Sequence, residues 1–179
     1  MTLISPELKE GVRKLVEDWS SPGVKTASPT VAETRLIGPQ TSEAKWPNFT
    51  VISDEPKSVG GHDSAPPPSS LFVASIGFAE NVIFARQAAL HGVEFESYET
   101  RVEGTWDRKG IFGIQGADPS ITRLLIETKV RTSASPKQVV ELLKLTHRRS
   151  PMTATLAKAA KIVRRLYVND AEVSLEDFS

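Results

Sequence analysis

The chain has 179 residues, enough for one domain with a sizeable apolar core, and its 22 basic residues are balanced by 22 acidic ones. This balance gives no general attraction to nucleic acid or to a membrane surface, so neither is expected as a partner. The sequence contains no cysteine, which excludes disulfides, thiolate metal sites and cysteine-based catalysis.

The first predicted element is a short amphipathic helix. Ser5 and Pro6 form an N-cap and first-turn pair, and apolar residues follow at helical spacing as far as Trp19. Pro22-Gly23 ends the segment, so we expect residues 1–22 to form a helical arm and residues 23–179 to form the main domain. The segment lacks the basic flank and apolar core of a signal peptide, so we expect a cytoplasmic protein.

Two strands and a long loop are predicted after this arm. Residues 30–37 and 49–52 have strand character, and we expect Gly38-Pro39 and the polar residues 40–45 to join them as a hairpin-like connection. Residues 53–68 combine acidic residues, a glycine pair and a proline run. That composition predicts a loop.

The most apolar stretch, Ser69–His91, is predicted to be a long helix, with serines as caps and Gly92 as a stop signal. Its apolar residues lie nearly all the way round, which predicts burial on every side and makes it the helix we expect to be most buried. We expect it to be shorter than a bilayer core, and Glu80 and Arg86 interrupt it, so no membrane span is expected. A partner subunit is expected to help enclose it.

The rest of the chain predicts strands, then two helices, then a closing strand. These are strands at 93–106 and 121–132, a short strand or turn at 111–116, helices at 136–147 and 151–159, and a strand at 161–170. In the strand at 121–132, alternation predicts one buried face formed by Leu124, Ile126, Thr128 and Val130. Strands grouped on both sides of helices predict an α+β fold with antiparallel pairing.

Five stretches in this order resemble a known family. They are DEPKSVGG, the proline-led SLFVASIGFAENV, VEGTWDRKG, the ADPS turn and LTHRRSPMTATLAKA. Together they resemble the osmotically inducible protein C (OsmC) and organic hydroperoxide resistance (Ohr) family. The resemblance implies antiparallel sheets around a long buried central helix in an intertwined homodimer. It also implies a role in the oxidative-stress response.

The resemblance also implies a redox site, whose main residues this chain lacks. The family's peroxidatic cysteine falls at Ala79, its resolving cysteine at Ser150 and its activating glutamate at Ser69. The family's arginine has no matching residue, and Arg35 is the nearest basic residue in the first strand. Peroxide reduction needs a thiolate that attacks the O–O bond and is recycled through a disulfide. We therefore expect the fold without the thiol chemistry.

Polar residues of the central helix suggest where another function would lie. Ser75 and Arg86 share the side of Ala79, which predicts either a pocket for an anionic or polar ligand or an arginine paired across the dimer interface. Glu80 shares a second stripe with Gln87 and His91. It is a candidate acid or base, or else a carboxylate held by hydrogen bonds at an interface.

The junction between the last two predicted helices is a further candidate. His147 and Arg149 precede Ser150, which is expected to cap the second helix. Two other interpretations are an anion site at the cap and a Ser150–His147 nucleophile pair. The three histidines are far apart and in no metal-binding motif, so neither a metal nor another cofactor is expected.

Three functions follow from these residues. The first is a homodimer that binds a small, apolar or anionic ligand at the former redox pocket. The second is an enzyme of the same fold that uses Glu80, Arg86, His147 or Ser150 in place of cysteine. The third is a structural or regulatory dimer with a filled pocket. A cavity beside Ala79 would separate the first two from the third.

Overall fold

The computed structural model describes residues 2–175, which form four α-helices and seven β-strands in an α+β arrangement. The chain forms two compact units. The larger contains the residues up to Pro22 and those from Ser75 onward, and the smaller contains Gly23–Ala74.

The N-terminal helix α1, Pro6–Trp19, belongs to the larger unit. Ser5 caps it, because its hydroxyl accepts a hydrogen bond from the Leu8 amide at 3.2 Å. The segment before α1 is anchored by the Leu3 amide, which donates to the Phe95 carbonyl at 2.8 Å. Ile4 is buried in the core beside it. The predicted helix is confirmed, and the segment that leads into it packs into the core of its unit.

A four-stranded sheet forms the body of the larger unit. Its order is β4-β5-β6-β7, formed by Ser97–Thr105, Arg123–Arg131, Lys161–Val168 and Ala171–Val173. The predicted alternation in β5 is confirmed, because Leu124, Ile126, Thr128 and Val130 are all buried. Residues 108–116, predicted as a turn and a short strand or turn, form two short 3₁₀ helices.

The predicted antiparallel pairing is found for the other neighbouring strands, whereas the pairing of β5 with β6 is parallel. Two helices, α3 (Pro136–Arg149) and α4 (Pro151–Leu156), lie between these strands in the chain. A helical connection of this length returns the chain to the end of the sheet from which it left, which gives parallel strands.

The hairpin that ends the sheet was not predicted beyond its first strand. Asn169 and Asp170 have φ of +48° and +68°, and Val168 pairs with Ala171 across them. Two consecutive left-handed residues form the tight turn that suits the twist of a hairpin, and Asn and Asp tolerate this conformation. This turn adds β7 as a fourth strand.

The long central helix α2 extends over Pro68–Leu90, close to its predicted bounds. The predicted serine caps lie inside the first turn instead, because Pro68 takes the first helical position that suits proline. Gly92 has φ of +67° and ends the segment as predicted. The part of α2 in the larger unit packs Ile76, Phe84 and Ala88 into the core.

Burial of α2 on every side is not found within a single chain. Phe78, Val82 and Leu90 are 67%, 49% and 39% exposed. Six of the 23 residues of α2 are buried, a share similar to the four of 14 in α3, so α2 is not distinguished from α3 by its burial in one chain. The reason is that its apolar residues surround the helix, while the described part of one chain covers only part of that surface.

The 23 residues of α2 measure about 34 Å, so the expectation that α2 is shorter than a bilayer core is wrong. Among residues 2–175, α2 is the one helix whose length and composition would allow a membrane span. This is weak evidence, since the core helix of a soluble protein meets the same test.

The smaller unit contains an antiparallel meander of β1 (Glu33–Leu36), β2 (Ser42–Trp46) and β3 (Phe49–Ser53). The prediction of residues 40–45 as a connection is wrong, because most of them form the middle strand. Backbone pairing on both sides fixes β2, although its sequence SEAKW is too polar to give a strand signal.

Candidate functional site

A buried ion pair joins α2 to β6 in the larger unit. Glu80 Oε2 accepts from Arg164 Nη1 at 2.8 Å, and Oε1 accepts from Nη2 at 3.0 Å. The Glu80 side chain is fully buried and that of Arg164 is 3% exposed. A carboxylate in the interior needs such a partner, because burying an isolated charge is costly. The two-point contact also fixes the orientation of the guanidinium.

The first turn of α4 completes the surroundings of Glu80. Thr153 Oγ1 donates a hydrogen bond to Glu80 Oε1. Ser150 caps α4, because its Oγ accepts from the Thr153 amide at 3.4 Å. The side chains of Ser150 and Thr153 are both buried. The helix junction predicted from the sequence therefore lies beside the predicted acid, with Thr153 between Ser150 and Glu80.

His147, near the end of α3, extends the cluster on its other side. Arg164 Nε donates to His147 Nδ1 at 3.2 Å. A guanidinium has only donors, so Nδ1 must carry the lone pair and the ring is in its neutral form. Burial, and after it the positive charge of Arg164, lowers the pKa of His147 below its ordinary value. Both effects favour a neutral histidine at neutral pH.

Two buried hydroxyls lie on the neighbouring strands β4 and β5. Tyr98 Oη and Thr128 Oγ1 form no hydrogen bond within residues 2–175. The Tyr98 ring stacks on Phe84 of α2, with ring centroids 4.1 Å apart. Burial, and after it the negative charge of Glu80, raises the pKa of Tyr98 well above its ordinary value. Tyr98 is therefore a neutral hydroxyl at neutral pH.

An open cavity of about 410 Å³ adjoins this cluster. His147 and Arg164 form part of its wall, together with Lys161 at the start of β6. Apolar side chains form the rest of the described wall: Ala157, Ala160, Ile162 and Leu175. We call it the Lys161 cavity. Its size is within the range of pockets that bind small molecules.

Comparison with protein families matches residues 61–164, more than half of the chain, to the family described as OsmC-like protein. The chain belongs to the OsmC-like family. The matched range includes Glu80, His147, Thr153 and Arg164, so the buried cluster lies within the family domain. A comparison of the sequence with curated proteins finds no match.

Solved structures show the same fold for this OsmC-like protein. An OsmC-like protein from Mycoplasma pneumoniae has a TM-score of 0.70 at 13% identity, covering 80% of this chain and 99% of its own. The organic hydroperoxide resistance protein OsmC from Legionella pneumophila has a TM-score of 0.62 at 12% identity, covering 79% of this chain and 100% of its own. For an organic hydroperoxide resistance protein from Elizabethkingia anophelis the TM-score is 0.63 at 12% identity, with coverage of 80% and 100%.

The residues assigned to the family's redox site are divided between the two units of the OsmC-like protein. Ser150 contacts the Glu80 cluster through Thr153, while Ala79 is a half-buried residue of α2. Ser69 lies in the first turn of α2, in the smaller unit. Arg35 lies on β1 in the same unit, where it pairs with Glu43 of β2. The sequence has no sulfur nucleophile at any of these positions.

The other predicted site residues are more scattered. Arg149 donates to Gln87 of α2, which links α3 to the second predicted stripe, whereas His91 at its end is exposed. Ser75 is half-buried. Arg86 is exposed and forms no ion pair with residues 2–175. A binding role for Ser75 and Arg86 therefore stays a prediction.

Sequence analysis missed Arg164 and Thr153, which hold Glu80. A signal for Arg164 was present, because it alternates with Ile162, Leu166 and Val168 on the inward face of β6. A charged residue at an inward position of a strand indicates a buried partner of opposite charge. No pattern in the sequence selects Glu80 as that partner among the 22 acidic residues.

Proposed function

We propose that this OsmC-like protein is a homodimer that binds a small molecule and does not reduce peroxides through thiols. The observation that carries the proposal is the complete absence of cysteine, with Ala79 and Ser150 at the positions that the resemblance assigns to the redox pair. Methionine thioethers are the only sulfur in the chain, and they do not form the thiolate that this reaction requires.

The geometry of the polar cluster supports binding more than catalysis. Glu80 is neutralised by Arg164 and has no exposed surface, so it lacks the access that a general acid or base needs. Ser150 is buried as a helix cap and forms no hydrogen bond with His147, so a nucleophile activated by this histidine has no support. An enzyme that uses these groups is the weaker alternative.

The exposed apolar surface of α2 supports a homodimer. Phe78 and Val82 lie one turn apart on the uncovered side of this helix. Monomeric proteins rarely leave such contiguous apolar surface in water. The homodimer and a cytoplasmic location both stay predictions.

The proposal is tested with organic hydroperoxides and a dithiol reductant. We expect no peroxide reduction above background from the unmodified protein. The double variant Ala79→Cys, Ser150→Cys restores the two sulfurs, and we expect it to recover weak activity. Adding Ser69→Glu restores the carboxylate position and is expected to raise that activity. Robust turnover by the unmodified, cysteine-free protein would overturn the proposal.

A further inference from the structure

The lining of the Lys161 cavity combines polar and apolar side chains, which we call its polar wall and its apolar wall. The polar wall consists of His147, Lys161 and Arg164. The apolar wall consists of small or aliphatic side chains from the end of α4, the start of β6 and the segment after β7: Ala157, Ala160, Ile162 and Leu175. A ligand that fits both walls needs a polar head and an apolar body of modest size.

Among the described residues of the lining, one positive charge has no counter-charge in residues 2–175. Arg164 is neutralised by the two-point contact with Glu80. His147 accepts a hydrogen bond from Arg164 at Nδ1, which holds its ring neutral. Lys161 is exposed and forms no ion pair with residues 2–175. No carboxylate is present among the described residues of the wall, so the ammonium group of Lys161 carries the net charge.

We propose that the Lys161 cavity binds a compact organic monoanion, a carboxylate whose charge pairs with Lys161 and whose apolar body lies on Ala160 and Ile162. This inference rests on the proposed small-molecule function and names its site and ligand class. The site differs from the predicted pocket beside Ala79, because neither Ala79 nor Arg86 lines this cavity, although the predicted candidate His147 does.

The charge balance selects a monoanion over the alternatives. A dianion such as phosphate would bring a second negative charge that no uncompensated cation of the described wall meets. It would also leave the apolar wall uncovered. A neutral apolar molecule would cover that wall but gain nothing from Lys161. Only a ligand with one negative charge and an apolar body uses both walls.

Isothermal titration calorimetry on the full chain tests this with three probes. The first is 2-naphthoate, the second is the neutral 2-naphthamide of nearly the same shape, and the third is acetate, which has the charge without the ring. We expect 2-naphthoate to bind most tightly, 2-naphthamide to bind about tenfold more weakly because it lacks the ion pair, and acetate to give no measurable heat.

Variants locate the binding. Lys161→Gln should weaken 2-naphthoate binding about tenfold and leave 2-naphthamide binding unchanged, since it removes only the charge. Lys158→Gln is the matched control, because Lys158 is exposed, carries the same charge and is not part of the wall. Ala160→Leu fills the cavity and should weaken both aromatic probes. The urea midpoint of each variant shows that the fold is kept.

Three results would each overturn the proposed site. They are equal affinity for 2-naphthoate and 2-naphthamide, no binding of 2-naphthoate, and an equal loss of 2-naphthoate affinity in Lys161→Gln and Lys158→Gln. These results would leave the proposed function standing, because it specifies neither this cavity nor this class of ligand, and its own test is the peroxide assay. Peroxide turnover by the cysteine-free chain would overturn the proposed function even if 2-naphthoate bound as expected.

Discussion

The Glu80 side chain receives hydrogen bonds from Arg164 of β6 and from Thr153 of α4. Removing both charges of a buried pair is often nearly neutral for stability, because the cost of desolvation offsets the attraction. Removing one charge is different, since the other is left in the interior without compensation. We therefore expect the pair to contribute more to the choice of which surfaces pack together than to net stability.

We expect Glu80→Ala to lower the free energy of unfolding by about 3–5 kcal/mol, because Arg164 would stay buried without a counter-charge. The double variant Glu80→Leu, Arg164→Met should unfold close to the original free energy. Urea denaturation measures the free energy of unfolding of both variants. Arg101→Met is the control, because it breaks an exposed ion pair with Glu103 and should cost less than about 1 kcal/mol. If Arg101→Met and Glu80→Ala lowered the free energy of unfolding by similar amounts, this account would be contradicted.

The lowered pKa of His147 predicts a pH dependence of stability. Protonation of His147 is disfavoured in the folded protein. Below the ordinary histidine pKa of 6.5, the unfolded chain therefore binds more protons than the folded protein does. The stability that this group contributes is present above that value and is lost as the pH falls below it. His147→Gln should therefore show a smaller fall in urea midpoint between about pH 7.5 and about pH 5.5. His62→Gln is the control, because His62 is exposed. An equal fall in urea midpoint in both variants would count against the prediction.

At the scale of elements, the loop between β3 and α2 is organised by one carboxylate. Asp54 accepts hydrogen bonds from the amides of Glu55, His62 and Ser64 and from the hydroxyls of Thr41 and Ser64, at 2.7–3.1 Å. The bonds from Ser64, Thr41 and His62, led by the one from the Ser64 hydroxyl, lower the pKa of Asp54 well below its usual range. The turn is also tight, because a Cβ on Gly61 would lie 1.8 Å from the Glu55 carbonyl oxygen.

Asp54→Asn should loosen this loop, because an amide can accept at only one of the two oxygen positions. We expect faster hydrogen exchange at the amides of His62 and Ser64 and a lower thermal midpoint. Asp63→Asn is a matched control in the same loop, since Asp63 is exposed and asparagine tolerates its φ of +57°. Unchanged exchange in Asp54→Asn would show that the carboxylate is not what orders the loop.

At the scale of the whole molecule, apolar side chains remain exposed on α2. Phe78 is 67% exposed, although it lies on a helix that also carries the fully buried Glu80 and Phe84. An obligate interface of the kind that we propose is usually large and more apolar than the rest of the surface. Covering this side of α2 with a second copy would account for its composition.

We expect the protein to sediment as a stable dimer at micromolar concentration. Phe78→Glu should shift it towards the monomer, because a charge in an apolar interface has no partner. Ser133→Glu is the control, since Ser133 is exposed and the change adds the same charge away from α2. A stable folded monomer of the unmodified chain, or equal shifts in both variants, would exclude the proposed dimer.

Local signals in the sequence were sufficient to predict several elements. The Ser-Pro pairs at 5–6, 135–136 and 150–151 mark helix starts, and Gly92 marks an end, because caps and left-handed residues act on neighbouring backbone atoms. Alternation in β5 predicted its buried face. The absence of cysteine is established by the sequence alone.

Tertiary structure decided the features that depend on residues far apart in the chain. Arg164 meets Glu80 across 84 positions, and no local pattern of either residue names the other as its partner. The parallel pairing of β5 with β6, the polar strand β2 and the Lys161 cavity likewise depend on how separate segments pack. The physical reason is that capping and periodicity act over a few residues, whereas burial of a charge or pairing of a strand is fixed only when distant surfaces meet.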